Sequence, residues 1–428
     1  MMSSERLTPV EEALRRYMRR LREVLRPPGV EEVPVLQALG RVLAEDVVAP
    51  GDLPPFDRAT MDGYAVRAED TYGAKPNRPV RLKLIGRCLA GEAASVCVGP
   101  GECVEVATGA MMPEGADAVV RVEATERRGR DVLVFEAVAP GQNVMERGAD
   151  IRAGETALCS GELLTPAKLG VLSALGLRSV LVFEKPKVAV ISTGVELLRP
   201  GEELEPGKIY DINWITMMAA VRMALGEPLF LGVVGDELAE LVERLSEGLE
   251  GADVVIATGA SSVGASDIMR EALEGVGARV LVDGVRCKPG KPTIIALSGR
   301  KPIFCLPGNP TSALTMFMVL VEPFLARMAG LREIRRPVVR ARLASRILPD
   351  TGRYNFVPVS LSPGPDGSLV AMPIAKGSGA ITSLSSAHGF VEVPEGTPVV
   401  EEGSEVLVRL FWPAWPIGRF ELEAPLGG

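Results

Sequence analysis

The sequence has few of the residues that bind transition metals. Its 428 residues include one histidine, His388, and six cysteines. None of the cysteines forms a Cys-x-x-Cys pair. Structural zinc sites need closely spaced cysteine or histidine ligands. We therefore predict no zinc site, and we expect the cysteines to be reduced residues of the core.

Long apolar runs and a surplus of positive charge are also lacking. No stretch approaches the roughly 20 apolar residues that span a bilayer, and the N-terminus has no apolar run of the signal-peptide kind. The chain has 47 basic and 55 acidic side chains, a net charge of −8, whereas nucleic-acid-binding surfaces are usually basic. We expect a cytoplasmic protein that binds neither nucleic acid nor membrane. A small anionic ligand is still compatible, because a few lysines can converge in one cleft.

The chain is long and apolar enough to form several cores. Hydrophobic residues make up 47% of it, and its length suits about three domains of ~150 residues each. The segment Thr8-Pro9-Val10-Glu11 resembles a helix start with a capping box, and apolar residues recur at helical spacing from Val10 to Leu25. A helix is therefore predicted near the N-terminus.

The pattern of apolar residues and glycines changes along the chain and predicts a multidomain α/β and β protein. Short β-like runs between glycines indicate a β-rich domain II over 54–146, and apolar runs that alternate with helical stretches indicate an α/β domain III with a mostly parallel sheet over 185–332. Strand patterns return over 335–428 and predict a β-barrel or sandwich, domain IV. Residues 1–53 and 147–184 are predicted to form one discontinuous mixed domain I.

Polar, glycine-containing loops follow two predicted strands of the α/β domain. Strand Val188–Ile191 leads into Ser192-Thr193-Gly194-Val195-Glu196, and strand Val254–Ala257 leads into residues 258–267. In open α/β sheets, ligands bind beyond the carboxyl ends of the strands, and small residues let backbone N–H groups approach an anion. Ordinary turns with helix caps are the alternative for either loop alone; the two together favour a binding site.

Two further segments of the same domain suggest an anion site. Lys288-Pro289-Gly290-Lys291-Pro292 is a stiff turn with two ammonium groups, and Pro307-Gly308-Asn309-Pro310-Thr311-Ser312 leads into an apolar helix. A solvated basic turn is the alternative for the first segment by itself. At an effective dielectric constant near 20, one lysine about 4 Å from a negative charge contributes on the order of 4 kcal/mol. Two lysines and nearby amides could therefore hold a multiply charged ligand.

Three carboxylates lie in or near these loops, at Glu196, Asp236 and Asp267. Carboxylates repel a phosphate unless a cation intervenes, and Mg²⁺ commonly bridges one or two carboxylates and phosphate oxygens. The alternative is that they cap helices, above all at Asp236. Segments 55–65, 108–117 and 141–150 also hold dense polar residues, but their spacing alone favours turn scaffolding.

Taken together, these segments resemble one family. The runs PPFDRATMDGYAVRAED, TGAMMPEGADAVV, STGVEL, TGASSVGASD, KPGKP and LPGNPTSAL are similar to those of the molybdopterin molybdenumtransferases, a family that includes the E domain of gephyrin. The resemblance extends from about Val33 to Phe390, in the order of the family. It implies an L-shaped homodimer of four-domain subunits, whose third domain is similar to the molybdopterin adenylyltransferase fold.

The resemblance also implies a reaction and a set of site residues. Adenylylated molybdopterin and molybdate, with Mg²⁺, would give molybdenum cofactor and AMP. The implied catalytic residues are Asp62, Thr108, Asp150, Glu196, Lys288 and Lys291. The implied substrate-binding residues are Ser192, Thr193, Gly194, Thr258, Gly259, Ser262, Gly264, Pro292, Gly308, Asn309, Ser312, Arg353 and Ser383. The implied metal ligands are Asp236 and Asp267, and Asp62 and Asp150 would reach the cleft from the partner subunit.

The sequence departs from the family pattern at four positions. Met145 stands where a basic residue is usual, Ala260 where a second glycine is expected, and His388 where asparagine is frequent; Pro358 occupies the place of an arginine. These departures leave an inactive homologue as an alternative.

Two other functions are alternatives. The first is adenylyl transfer to the pterin, which would explain only the third domain. The second is a scaffolding role, which no appended domain or long linker supports. Transient contacts with the adenylyltransferase and with enzymes that accept the cofactor are expected for the favoured function.

Overall fold

A computed structural model describes residues 7–24, 28–235, 237–259, 263–334, 336–374, 382 and 385–411. The chain packs as two compact units. The β-rich unit comprises residues 32–39 and 43–181, and the α/β unit comprises residues 1–31, 40–42 and 182–428. This division is coarser than the four predicted domains, whose boundaries stay predictions.

Helices are concentrated in the α/β unit. In chain order, the helices are α1 (Val10–Val24), α2 (Pro166–Ala174), α3 (Asn213–Met223), α4 (Leu238–Gly251), α5 (Val263–Gly275), α6 (Pro310–Met316) and α7 (Glu322–Met328). A π-helical segment, Phe317–Val321, joins α6 to α7. Short 3-10 helices lie at Val35–Ala38, Ala68–Thr71 and Val122–Ala124.

Strands occur along the whole chain. The first twelve are β1 (Val30–Pro34), β2 (Val47–Val48), β3 (Arg58–Ala59), β4 (Gly63–Val66), β5 (Val80–Cys88), β6 (Glu102–Val106), β7 (Ala118–Arg121), β8 (Thr125–Arg128), β9 (Asp131–Val134), β10 (Val144–Met145), β11 (Thr156–Leu158) and β12 (Ser179–Phe183). The others are β13 (Lys187–Thr193), β14 (Leu197–Leu198), β15 (Ile209–Tyr210), β16 (Glu227–Val234), β17 (Val254–Thr258), β18 (Arg279–Asp283), β19 (Cys287–Lys288), β20 (Ile294–Ser298), β21 (Lys301–Leu306), β22 (Val338–Leu343), β23 (Tyr354–Pro363), β24 (Leu369–Pro373), β25 (Gly389–Val393) and β26 (Glu405–Leu410).

The β-rich unit is built on a six-stranded sheet with the order β7-β4-β6-β5-β9-β8. Its strands are antiparallel except for the parallel pair β5 and β6. Both faces are covered by apolar side chains, because neighbouring residues of one strand, such as Cys103 and Val104, belong to different core clusters. The β-like runs of the sequence that begin at Val80, Glu102 and Asp131 form strands β5, β6 and β9 of this sheet.

A second six-stranded sheet, with the order β16-β13-β17-β21-β20-β18, forms the α/β unit. The first four strands are parallel, and β20 pairs antiparallel with both β21 and β18. Strands β17 and β21 are buried almost throughout, as expected where helices cover both faces of a parallel sheet. The predicted mostly parallel sheet is confirmed.

Alternation along the central strands assigns side chains to the two faces of this sheet. Val188 and Val190 of β13 belong to the core cluster that contains Met217 of α3 and Ala313 of α6. Their neighbours Ala189 and Ile191 belong to the cluster with residues of α4 and α5. Because side chains of a strand alternate, Ser192 at the end of β13 lies on the α3/α6 face.

The topology brings several loops to one edge of the sheet. Strands β13, β17 and β21 are parallel and end at the same edge. Since β20 is antiparallel to both of its neighbours, β18 also ends at this edge and β20 begins there. The connection from β18 to β20, which contains Lys288 to Pro292, therefore lies at the carboxyl edge of the sheet.

The predicted first helix is present and packs in the α/β unit. It begins at Val10, one residue later than the sequence suggests, and Thr8 instead forms an isolated bridge with Val285. Tyr17 is fully buried, and its hydroxyl donates to the carbonyl of Leu320 at 2.6 Å. Its ring meets Phe304 edge-on, with centroids 6.1 Å apart.

The helical stretch Pro310–Met328 is, among the described residues, long and apolar enough to cross a membrane. This stretch differs from the expectation that no segment approaches the roughly 20 apolar residues of a membrane span. An 18-residue window of the stretch is 72% buried inside the protein. Phe317, Leu320 and Phe324 pack into the core beside the sheet. Its apolar character is therefore accounted for by the core.

The C-terminal strands form a closed barrel. Strands β23, β24, β22, β26 and β25 are neighbours in that order, and β25 also pairs with β23. This pairing decides between the barrel and the sandwich that the sequence leaves open. Short β19 adds to β23 in parallel, with Cys287 opposite Tyr354 and Lys288 opposite Asn355. The barrel therefore borders the loop at the carboxyl edge.

Candidate functional site

The turn from Lys288 to Pro292 is fixed by its surroundings. Gly290 has φ +116°, and a Cβ atom at this position would overlap the side chain of Met316. Only glycine suits both conditions. The hydroxyl of Thr293 donates to the carbonyl of Gly290 at 2.7 Å. The two ammonium groups therefore project from a turn that is held in one conformation.

A cavity of about 760 Å³ lies beside this turn. One wall is the turn itself and the start of α6, and the opposite wall comes from the C-terminal barrel. The cavity brings together five residues that the sequence analysis assigns to the site: Lys288, Lys291, Pro292, Ser312 and Arg353. It also contains residues that the sequence analysis did not select, among them Thr311, Arg346 and Asn355. We call it the cationic cavity.

Most of the cationic side chains that line the cavity have no ion-pair partner in the part of the chain that the structure describes. Within the described residues, neither Lys288, Lys291 nor Arg346 forms an ion pair, and no lining residue is acidic. Arg353 is the exception, since its Nε lies 3.5 Å from Oδ2 of Asp350. Nearby unpaired cations repel one another unless an anion binds between them. The cavity therefore suits a multiply charged anion.

Sequence reasoning missed Arg346 for a physical reason. The arginine lies between β22 and β23 in the segment RLASRILPD, which has no special spacing. It reaches the cavity only because the barrel packs against the turn. Cys287 also lines the cavity, but burial raises the pKa of its thiol to about 12. The thiol therefore stays protonated near neutral pH.

Several buried polar atoms near the carboxyl edge have no hydrogen-bond partner among the described residues. Among them are Oγ of Ser192, Oδ1 of Asn213 and Oγ1 of Thr311. Asn213 begins α3, and its Nδ2 donates to the carbonyl of Gly308 at 2.7 Å. This contact ties α3 to the loop before α6. Buried polar groups are normally paired, so these atoms indicate where a ligand could bind.

The loops after β13 and β17 are joined to each other. The hydroxyl of Thr193 donates to the carbonyl of Thr258 at 3.0 Å. Gly259 has φ +114°, and a Cβ atom there would overlap the carbonyl of Thr193. Gly194 is followed by the exposed Glu196, whose carboxylate folds back over it. The predicted residues Ser192, Thr193, Gly194, Thr258 and Gly259 are thus neighbours.

The loop predicted over residues 258–267 is shorter in the structure. Helix α5 begins at Val263, so Gly264 and Asp267 are helical residues. The apolar face of this helix explains its early start, because Ile268, Met269 and Leu273 pack against the sheet. Predicted residues Asp236, Ser262 and Ser383 lie outside the described residues, and Asn309 is exposed just before α6.

Asp267 already has a cationic partner. Nη1 of Arg270 lies 2.7 Å from Oδ1 of Asp267, and Nη2 and Nε of the same arginine contact the carboxylate of Asp283. The pKa of the Arg270 guanidinium is raised, chiefly by its hydrogen bonds to Asp283 and further by the negative charges of Asp283 and Asp267. No group of three His, Cys, Asp or Glu side chains suited to a metal occurs among the described residues. On these residues alone a Mg²⁺ site is not assembled.

In the β-rich unit, two predicted residues are in direct contact. The backbone N–H and the hydroxyl of Thr108 both donate to Oδ1 of Asp62, at 2.7 and 2.8 Å. These bonds lower the pKa of the exposed Asp62 carboxyl. Within the described residues, no hydrogen bond joins Asp150 to either of them; its backbone N–H donates to the carbonyl of Leu53.

The departures from the family pattern have local explanations at two positions. Met145 lies opposite Arg58 in the β3–β10 pair, and Nη2 of Arg58 is 3.2 Å from the methionine sulfur. A cationic group is thus present beside Met145 although the residue itself is neutral. His388 accepts the backbone N–H of Leu361 on Nδ1 at 3.0 Å, which gives it a role in the barrel.

Comparisons with known proteins agree over almost the whole chain. Three family models match: the MoeA N-terminal region (domain I and II) over residues 8–176, a probable molybdopterin binding domain over 189–327, and the MoeA C-terminal region (domain IV) over 340–411. Molybdopterin molybdenumtransferase 2 of Mycobacterium tuberculosis is 37% identical over 401 residues, 92% of this chain and 98% of that protein. The Bacillus subtilis molybdopterin molybdenumtransferase is 34% identical over 407 residues, 94% of each chain.

Solved structures give the same result for the fold. One crystal structure of the molybdopterin biosynthesis MoeA protein of Pyrococcus horikoshii has a TM-score of 0.77 at 44% identity, and covers 96% of this chain and 100% of its own. A second has a TM-score of 0.81 at 35% identity, with 95% and 100% covered.

Proposed function

The chain belongs to the molybdopterin molybdenumtransferase family, and we propose that it inserts molybdenum from molybdate into adenylylated molybdopterin, releasing AMP. The observation that carries this proposal is the cationic cavity at the carboxyl edge of the sheet. Three cations without an ion-pair partner among the described residues face a space that a small oxyanion could enter. A family of transferases in molybdenum cofactor biosynthesis supplies the identity of that oxyanion.

Molybdate is a dianion, and its charge suits the cavity. At an effective dielectric constant near 20, each lysine about 4 Å from a unit charge contributes on the order of 4 kcal/mol, which desolvation offsets in part. Lys288 and Lys291 would supply most of this attraction. Ser312, Arg346, Arg353 and the stiff Pro292 would complete the oxyanion site, and Ser383 is assigned to it by the family resemblance alone.

The nucleotide-linked pterin would bind along the neighbouring loops. Ser192, Thr193, Gly194, Thr258 and Gly259 line adjacent strand ends, where backbone N–H groups and hydroxyls can meet phosphates. Gly308 and Asn309 border the same edge, and Ser262, Gly264 and Glu196 are assigned there by resemblance. This arrangement would hold the dithiolene of the pterin next to the oxyanion.

The overall reaction requires neither an oxidant nor a reductant. Two Mo–S bonds form as one oxo group of molybdate leaves with the two thiol protons as water. Cleavage of the phosphoanhydride takes up one water and releases AMP. The role of the chain in both steps is to bring together and orient two anionic substrates, which lowers the entropic part of the barrier.

Mg²⁺ belongs to the proposal with Asp236 and Asp267 as its ligands. When bound, the ion would neutralise phosphate charge beside these carboxylates. The ion pair of Asp267 with Arg270 means that the described residues do not themselves offer this site, so no step is assigned to the ion.

A homodimer is also part of the proposal. Asp62 and Asp150 would then act on a cleft of the partner subunit. Mixing Asp62→Ala subunits with Asp267→Ala subunits tests this idea, because a site shared between chains would recover activity in some heterodimers. An absence of recovery, with heterodimers demonstrated by mass spectrometry, would contradict shared sites.

The activity itself is tested with purified protein, adenylylated molybdopterin, Mg²⁺ and molybdate. We expect AMP to be released only when molybdate is present, together with cofactor that reconstitutes a molybdenum apoenzyme. AMP release at the same rate with and without molybdate would contradict metal insertion. Pyrophosphate release from ATP and unadenylylated pterin would support adenylyl transfer instead.

A further inference from the structure

Thr311 carries a buried hydroxyl with no hydrogen-bond partner among the described residues. Only 4% of the residue is exposed, and the described part of the chain offers its Oγ1 neither donor nor acceptor. The residue nevertheless lines the cationic cavity, beside Ser312. Burying a hydroxyl without a partner costs free energy, whereas an apolar group of the same shape does not. The presence of threonine here therefore needs an explanation other than packing.

Thr315, one turn later on the same helix, is a buried threonine whose hydroxyl does have a hydrogen-bond partner. It is equally buried, at 2% exposure, and its hydroxyl donates to the carbonyl of Thr311 at 2.7 Å. Helical threonines commonly satisfy themselves in this way. Thr311 lacks this option because α6 begins at Pro310, so no helical carbonyl lies four residues before it. Its hydroxyl is therefore left without a partner among the described residues.

We propose that the hydroxyl of Thr311 donates a hydrogen bond to an oxygen of the tetrahedral metal oxyanion bound between Lys288 and Lys291. This inference rests on the proposed function. It adds a neutral hydrogen-bond donor of fixed direction to the cations of the oxyanion site. Flexible ammonium groups attract any small dianion, whereas a hydroxyl fixed on a helix favours an anion with an oxygen at one place. Hydrogen bonds to charged acceptors are also the stronger ones.

Isothermal titration of the full-length protein with sodium molybdate tests the proposal directly. Thr311→Val keeps the shape and removes the hydroxyl, and we expect it to weaken molybdate binding about tenfold, equivalent to about 1.4 kcal/mol. Thr311→Ser keeps the hydroxyl and should bind within about twofold of the wild type. Thr315→Val is the matched control on the same helix, and its molybdate affinity should equal that of the wild type.

Thermal unfolding without anion separates a binding role from a structural one. Thr311→Val should unfold at the wild-type temperature or above it, because no protein hydrogen bond is lost. Thr315→Val should unfold at a lower temperature, because its bond to the carbonyl of Thr311 is lost. If Thr311→Val is destabilised like Thr315→Val and binds molybdate normally, the hydroxyl is structural and the proposal is wrong.

Two further arms separate this inference from the proposed function. If Thr311→Val weakens binding of inorganic phosphate but not of molybdate, the hydroxyl serves a phosphate and the inference fails while metal insertion can stand. If wild-type protein releases no AMP, yet Thr311→Val still weakens molybdate binding selectively, the function fails and the oxyanion contact stands.

Discussion

The carboxyl edge of the sheet has two regions that treat charge in opposite ways. In the cationic cavity, Lys288, Lys291 and Arg346 have no ion-pair partner among the described residues. On the side of α5, the carboxylate of Asp267 is already paired with Arg270, which also binds Asp283. The three cations of the first region can bind an anion without first breaking an ion pair to a described residue. The second is neutralised by the protein, so a cation must compete with an arginine there.

The two regions therefore differ in how much they depend on a ligand. An unpaired cation stays near a cavity only if other contacts hold it, and here the fixed turn around Gly290 does so. A paired carboxylate needs no ligand. The contrast therefore predicts larger effects from changes in the cavity than from changes beside α5.

The largest effect is expected from Lys288→Ala. Loss of one of the two lysines from the oxyanion site should lower kcat/KM for metal insertion by about 100-fold or more, about 2.7 kcal/mol. The measurement is molybdate-dependent AMP release. Lys187→Ala is the matched control, since this exposed lysine begins β13 at the opposite edge. Wild-type turnover of Lys288→Ala would remove the lysine from the site.

A smaller effect is expected from Arg346→Met, which keeps an apolar stem and removes the charge. We expect KM for molybdate to rise about tenfold with little change in kcat, because the arginine attracts the oxyanion from the barrel wall. Arg340→Met tests for a general charge effect, since Arg340 is exposed and paired with Glu405 in the same barrel. Equal effects of the two variants would argue against a specific role.

Arg270→Leu tests the region beside α5, where the Asp267 carboxylate is paired with this arginine. Removal of the guanidinium frees the Asp267 carboxylate, and we expect Mg²⁺ to bind roughly two- to fivefold more tightly in the presence of nucleotide. Calorimetric titration measures this change. The double variant with Asp267→Asn should lose the gain. Unchanged Mg²⁺ affinity in Arg270→Leu would indicate that Asp267 is not a metal ligand.

The smallest effect concerns Asp62 in the β-rich unit. Thr108→Val removes the hydroxyl bond and keeps the backbone bond, so the pKa of Asp62 should rise part of the way to its ordinary value. A lowered carboxyl pKa stabilises the folded state above the unfolded pKa of about 3.9, and this contribution is lost as pH falls through the folded pKa. NMR titration of the carboxyl carbon measures the shift. Thr125→Val, whose hydroxyl bonds a carbonyl, should leave it unchanged.

The sequence predicted what depends on local pattern. The alternation of buried strands and helices gave the parallel sheet, and its topology explains why the lysine turn and the loop before Ser312 meet at one edge. The family resemblance assigned Asp62 and Thr108 to the site, whereas the hydrogen bonds between them became visible only in the structure. In contrast, spacing could not reveal Arg346, because only the packing of the barrel against the turn brings it to the cavity.

Two other features also depend on tertiary structure. The early start of α5 is set by apolar packing of Ile268 and Met269 on the sheet, which overrides the loop-like composition of the preceding residues. The ion pair of Asp267 follows, because a helical Asp267 lies one turn before Arg270. A glycine- and serine-rich sequence gives no sign of either.

An anomalous difference map from crystals soaked in tungstate would locate the oxyanion site, since tungstate matches molybdate in charge and nearly in size. We expect a strong peak in the cationic cavity, bounded by Lys288, Lys291 and Thr311, that disappears in Lys288→Ala crystals. A peak confined to another surface, with the cavity empty at saturating tungstate, would contradict it.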